Sequence, residues 1–127
     1  MARLRPGDLA DHRRAADDAD PLVRAAALEA SGAAGESRAV KGLEDPDWQV
    51  RVGAARCLAA ADPVTAIEPL VAALLDASQD VRKAAVLALI PWASDSEVAA
   101  GLRAVIDDPD ADVRAYARRA VHDLTRS

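Results

Sequence analysis

Apolar residues in this chain recur at helical spacing, and the pattern returns four times. Its marker is a Val-Arg dipeptide, found as Val23-Arg24, Val50-Arg51, Val81-Arg82 and Val113-Arg114. Three residues after each arginine stands an alanine: Ala27, Ala54, Ala85 and Ala117. Six after stand Ala30, Cys57, Ala88 and Ala120, and two after stand Ala26, Gly53, Ala84 and, as the exception, Tyr116. Together with the valine, these positions fall on one face of a helix of about 3.6 residues per turn. Each segment reads as a helix whose inner face is small and apolar.

The starts of these helices are equally regular. Asp20, Asp47, Ser78 and Asp110 sit four residues before the arginines. Each is a candidate N-cap, whose side-chain oxygen can accept a backbone N–H left unpaired in the first turn. Pro21 falls at the first helical position, where its missing N–H costs nothing.

A second pattern lies upstream, anchored on the aspartate six residues before each arginine: Asp18, Asp45, Asp76 and Asp108. Two residues before it come Ala16, Leu43, Leu74 and Ile106, and six before it come His12, Ala39, Leu70 and Leu102. The pattern predicts paired helices over 7–17 with 21–31, 36–44 with 48–60, 66–75 with 79–90, and 96–107 with 111–125. Short connections make the two helices of a pair antiparallel neighbours. The run from Gly32 to Gly35 and Ala61-Asp62-Pro63 read as turns between units. Pro69 is expected in the first turn of its helix, where no donor is needed. The first helix carries His12, Arg13 and Arg14 where later units are mostly apolar. The last carries Arg114, Arg118, Arg119, His122 and Arg126. Both read as solvated end caps of a repeat array.

The arginines are spaced by 27, 31 and 32 residues, an internal repeat that decides architecture before local argument does. A single domain of 127 residues is expected, with units approximately at 6–32, 35–61, 64–92 and 95–126. Apolar residues make up 51% of the chain, enough for a core, yet there is no Phe and much of that share is alanine. Small side chains favour close approach of helices.

The run from Ala66 to Asp76, followed by Asp80 to Leu89, resembles a HEAT-like repeat. It is most similar to the short HEAT-like type first named in phycobilisome lyases. The resemblance covers nearly the whole chain, most strongly from residue 36 onward. It implies an all-α, right-handed solenoid of four antiparallel helix pairs, with the second helix of each pair lining the concave side. Proteins of this kind include scaffolds, adaptors, chromophore lyases and a few enzymes.

The aspartates and arginines form a ladder: Asp18 with Arg24, Asp45 with Arg51, Asp76 with Arg82, Asp108 with Arg114. A guanidinium near a helix start can reach back to the preceding loop, and its planar fork can bridge to the neighbouring unit's aspartate. The resemblance implies a structural ladder that ties one pair to the next. The alternative is a row of guanidiniums facing an anionic ligand, which the nearby carboxylates disfavour. The acidic runs Asp17-Asp18-Ala19-Asp20 and Asp107 to Asp112 are assigned to turns and caps. The second lacks the glycine and terminal glutamate of a calcium loop.

Catalytic chemistry has little to draw on. The two histidines, His12 and His122, stand at opposite ends of the chain, so a two-histidine metal site is not expected. No His-Glu dipeptide is present, so the iron site of the HEAT-like deoxyhypusine hydroxylases is not matched. The one cysteine, Cys57, excludes a disulfide within the chain. Its place in the small-residue column marks a buried, inert thiol rather than a nucleophile or chromophore attachment site. No catalytic residue, metal or cofactor is assigned.

Trp48 and Trp92 stand outside the repeating core pattern and are candidate binding anchors, or else fillers of irregular gaps. Tyr116 is expected to cap the end of the core. Arg56, Lys83, Arg118 and Arg119 lie on second helices, at positions that would face the concave side. The net charge is −5, which disfavours a nucleic-acid partner. No apolar run approaches a membrane span, and the N-terminus lacks the apolar core of a signal peptide. A soluble, cytoplasmic protein is expected, monomeric or weakly self-associating.

The leading expectation is a non-catalytic interaction scaffold that offers Trp48, Arg56, Lys83, Trp92, Arg118 and Arg119 to a protein partner. A lyase-like or ligand-modifying protein resembling the phycobilin lyases would instead need a deep pocket with polar groups converging on Cys57 or a histidine. A DNA-binding HEAT-like protein would need steeply salt-dependent retention of DNA.

Overall fold

A computed structural model describes residues 18–31 and 35–126 of the chain. The helix expected over 7–17, with His12 and Ala16, lies outside the described residues. So does most of the first inter-unit turn.

The described residues form seven α-helices and one 3-10 turn, and they contain no strand. These are α1 (Pro21–Ser31), α2 (Glu36–Gly42), α3 (Trp48–Leu58), α4 (Pro63–Ala73), α5 (Gln79–Leu89), α6 (Ser96–Arg103) and α7 (Ala111–Thr125), with the 3-10 turn Ile90–Trp92 after α5. Within units, α2 packs on α3, α4 on α5 and α6 on α7. Between units, α1 packs on α3, α3 on α5 and α5 on α7, while α2 meets α4 and α4 meets α6. The result is two layers of stacked helices, as in a HEAT-type solenoid.

Capping fixes most of the helix starts. Asp20 accepts the Leu22 N–H at 2.9 Å, Asp47 accepts the Gln49 N–H at 2.9 Å, and Asp110 accepts those of Asp112 and Val113 at 3.1 and 3.0 Å. Ser78 occupies the same place with extended backbone, but its side chain makes no capping bond. At this start only the turn is held, by the Asp76 carboxylate accepting the Ser78 N–H at 2.9 Å.

One boundary differs in kind. Helix α4 begins at Pro63, three residues before the start expected at 66, because Asp62 caps it by accepting the Val64 N–H and Pro63 fills the first position. Pro69 therefore lies inside the helix rather than in its first turn. Its missing donor removes one rung of the helix ladder there. The Pro69 side chain lies in the crease between α2 and α4, beside Val40, Leu43 and Ala73.

The repeated columns make the core. Val50, Val81 and Val113 are buried, as are Ala54, Ala85, Ala117, Cys57, Ala88 and Ala120. First helices contribute Ala39, Leu70 and Leu102, all fully buried. A single apolar cluster runs from Leu28 to Ala120. On α1 the columns are more open, with Val23, Ala26 and Ala30 exposed.

Gly53 shows why small residues are demanded between stacked helices. A Cβ built on it would stand 2.8 Å from the Ala25 carbonyl oxygen and 3.0 Å from the Ala25 Cα. Those are backbone atoms of α1, which cannot swing aside, so glycine sets the approach of α1 to α3.

Candidate interaction groove

The ladder side chains have a definite geometry. An aspartate in the turn before each of α1, α3, α5 and α7 folds that turn through its own carboxylate. Oδ1 of Asp18, Asp45, Asp76 and Asp108 accepts the N–H two residues on, at 2.8–2.9 Å. The arginine six residues later returns to the same turn by Nη1. Arg24, Arg51, Arg82 and Arg114 donate to the backbone carbonyls of Asp18, Asp45, Asp76 and Asp108 at 2.6, 2.7, 2.8 and 2.9 Å. The rest of the fork points to the following unit. Arg24 donates from Nε and Nη2 to both carboxylate oxygens of Asp45, each at 3.1 Å. Arg51 does the same to Asp76 at 2.9 and 3.2 Å, and Arg82 to Asp108 at 2.8 and 3.1 Å. Arg24, Arg51 and Arg82 thus each contact the backbone carbonyl of their own turn's aspartate and the carboxylate of the next unit's, while Arg114 is held to the carbonyls of Asp108 and Pro109.

These pairs are well shielded. The Arg82 and Asp108 side chains are 14% and 6% exposed. Burial pushes the Asp45 and Asp108 carboxyls up, but bonds from Arg24 and Arg82, turn N–H groups and neighbouring guanidinium charge outweigh it. Both carboxyls lie below the usual range. A carboxyl depressed only in the folded state contributes stability that is complete above the unfolded value, near pH 4, and is lost as pH falls through the folded one. Stability is therefore expected to fall as pH drops below about 4. In urea titrations at stepped pH, an Asp45→Asn/Asp108→Asn variant should fall less steeply than the parent. An identical slope would show that these carboxylates carry no acid linkage.

The other carboxylates of the second acidic run also have partners. Asp107 meets Arg118 at 2.9 Å, Asp112 meets Lys83 at 3.0 Å, and Asp110 is a cap. Among the described residues, no group of His, Cys, Asp and Glu is arranged to hold a metal ion. Cys57 is 2% exposed, and burial with the nearby charge of Glu36 raises its thiol above its ordinary value. A thiol so placed is a poor nucleophile.

Three of the six candidate binding residues meet in one place. Trp48, Arg56 and Lys83 line a groove of about 370 Å³ between α3 and α5. Trp48 is the first residue of α3 and is 44% exposed. Arg56, two turns further on, is held by a 3.0 Å bond to Glu29 of α1. Lys83 of α5 donates to Asp112 of α7, whose carboxylate raises its pKa. Val52, Ala84 and Leu87 add apolar lining, and Asp80 a carboxylate.

The remaining three candidates lie elsewhere. Trp92, in the 3-10 turn, is half-buried against the core. Arg118 donates to the Ile106 carbonyl at 2.7 Å and to Asp107, so it clips α7 to its own turn. Arg119 is exposed on α7. Tyr116, in the small-residue column, is 37% exposed.

Leu87 is an exposed groove residue that the repeat pattern left unmarked. It is 46% exposed. It stands five residues after its arginine, in the column otherwise filled by Glu29, Arg56 and Arg119. An apolar residue in a charged column was the available signal.

Among the described residues, no helix is long and apolar enough to cross a membrane. A family model described as HEAT repeats matches residues 39–122, about two thirds of the chain. No curated protein matches the sequence.

Proposed function

The chain belongs to the HEAT-repeat family, and from that premise we propose that it is a non-catalytic interaction module that holds a protein partner in the groove between α3 and α5. HEAT repeats generally mediate protein–protein contact. In this reading the units are four right-handed, antiparallel helix pairs, and the second helices α1, α3, α5 and α7 line the concave side. The observation that carries the proposal is the meeting of Trp48 and Leu87, both solvent-exposed, with Arg56 and Lys83 in one groove. Trp48 stands outside the repeating core pattern, and tryptophan and arginine are the side chains that most often dominate binding energy at interfaces. The stacked core beneath supplies rigidity, so little ordering is required on binding.

The test is recovery of partners from the native lysate on immobilised chain, with Trp48→Ala/Arg56→Glu alongside. The variant is expected to bind the recovered partners at least about thirtyfold more weakly. Its urea midpoint should stay close to the parent's, since both side chains are exposed. Equal recovery of the same proteins by both forms would refute the groove.

A further inference from the structure

The charges around the groove are not evenly placed. The charged side chains lining it are Arg56, Lys83 and Asp80, two cations to one carboxylate, in a chain whose net charge is −5. The carboxylates that pair with the two cations, Glu29 and Asp112, sit outside the lining on α1 and α7. Each pair is a single 3.0 Å contact, with side-chain exposures of 63% and 42% for Arg56 and Glu29, and 30% and 62% for Lys83 and Asp112. Exposed ion pairs of this kind are weak, so an incoming carboxylate can replace Glu29 or Asp112 at small cost. Arg51 and Arg82 of the ladder differ, being forked onto shielded aspartates from two nitrogens at once.

The spacing adds a length. Trp48 and Arg56 are eight residues apart on α3, about 12 Å along the helix. Lys83 corresponds in the repeat to Val52, midway between them. An extended peptide covers about 12 Å in about four residues.

We infer that the groove takes an acidic linear segment of a partner protein, with a bulky apolar side chain seated on Trp48 and carboxylates within about four residues of it meeting Lys83 and Arg56. The inference rests on the groove being the interaction site. The apolar lining gives the anchor its affinity, and the cations set orientation and reject basic segments. A phosphate backbone is disfavoured because the groove offers only two cations, too few to track a strand, in a chain of net charge −5.

The experiment is selection of random linear peptides displayed on phage against the full chain. The recovered sequences are expected to be enriched in Asp and Glu beside a Leu, Phe or Trp. A synthetic peptide of that consensus should bind Arg56→Gln/Lys83→Gln at least about tenfold more weakly, a loss on the scale of one good polar contact. Changing its carboxylates to amides should give a similar loss on the parent chain. Circular dichroism and urea unfolding check that each variant is folded. Recovery of basic or uncharged peptides whose binding is lost with Trp48→Ala would overturn the acidic preference and leave the groove standing. Displacement of the peptide by equimolar duplex DNA would overturn it too, assigning the cations to phosphate. No enrichment, or binding indifferent to Trp48→Ala, would overturn the groove itself.

Discussion

Replacing Arg82 with alanine is expected to lower the unfolding free energy by about 3 kcal/mol, read as a fall in the urea midpoint at neutral pH. The side chain makes four hydrogen bonds, two to the Asp108 carboxylate and two to the carbonyls of Asp76 and Ala77. Its loss leaves Asp108, 8% exposed as a residue, with its charge opposed only by more distant groups. Breaking a buried pair on one side costs about 3–5 kcal/mol, and residual water contact places this one at the lower end. The cost should depend on the stranded charge. Adding Asp108→Asn to Arg82→Ala is expected to recover part of the loss, because the amide oxygen still accepts the Asp110 N–H without a buried charge. If the double variant were less stable than the single one, the stranded carboxylate would not be the cause.

Leu70→Ala is expected to cost a similar amount, about 3 kcal/mol within the usual range of about 2–5. Leu70 is fully buried in the middle of α4. Ala66 and Ala73 on the same helix, and Ala39 in the matching column on α2, are too short to reach into the vacated space. Part of it should persist as a cavity, and cavity volume sets the size of the loss. Leu75, five residues later, is 75% exposed. Leu75→Ala should stay within about 0.5 kcal/mol. Equal losses from the two substitutions would contradict the burial assigned to α4.

The fold was legible because the repeat carries it redundantly. Four Val-Arg markers, their alanine columns and capping aspartates all point to stacked helices, and the family match agrees. What escaped was local. The start of α4 depends on Asp62 and Pro63, residues that also look like a turn, and a proline at position 69 pulled the expected start downstream. Ser78 has a capping residue's position without its bond.

The candidate site was legible in proportion to how strongly a residue broke the repeat. Trp48 replaces small or polar residues at its helix start, and it opens onto the groove. Trp92 breaks the pattern as well, yet it is half-buried against the core. Periodicity alone cannot tell an anchor from a filler after an irregular turn. Leu87 was passed over because apolar residues on a helix draw no notice until the column is read across units. The ladder was legible in outline, since a guanidinium reaching back to its own turn and bridging to the neighbouring unit was expected; spacing alone did not show that the carboxylate reached is the one 21 to 26 residues after.

The central claim is that repeated charged positions hold the stack while departures from the repeat meet the partner. Arg51 and Arg56 lie five residues apart on α3 and separate the two roles. Arg51 is forked onto a shielded Asp76, and Arg56 makes one exposed contact with Glu29. The most direct measurement is urea unfolding of Arg51→Ala and Arg56→Ala side by side. The expected result is a loss of about 2–3 kcal/mol for Arg51→Ala and less than about 1 kcal/mol for Arg56→Ala. Equal losses, or the reverse order, would contradict the division of labour between ladder and groove.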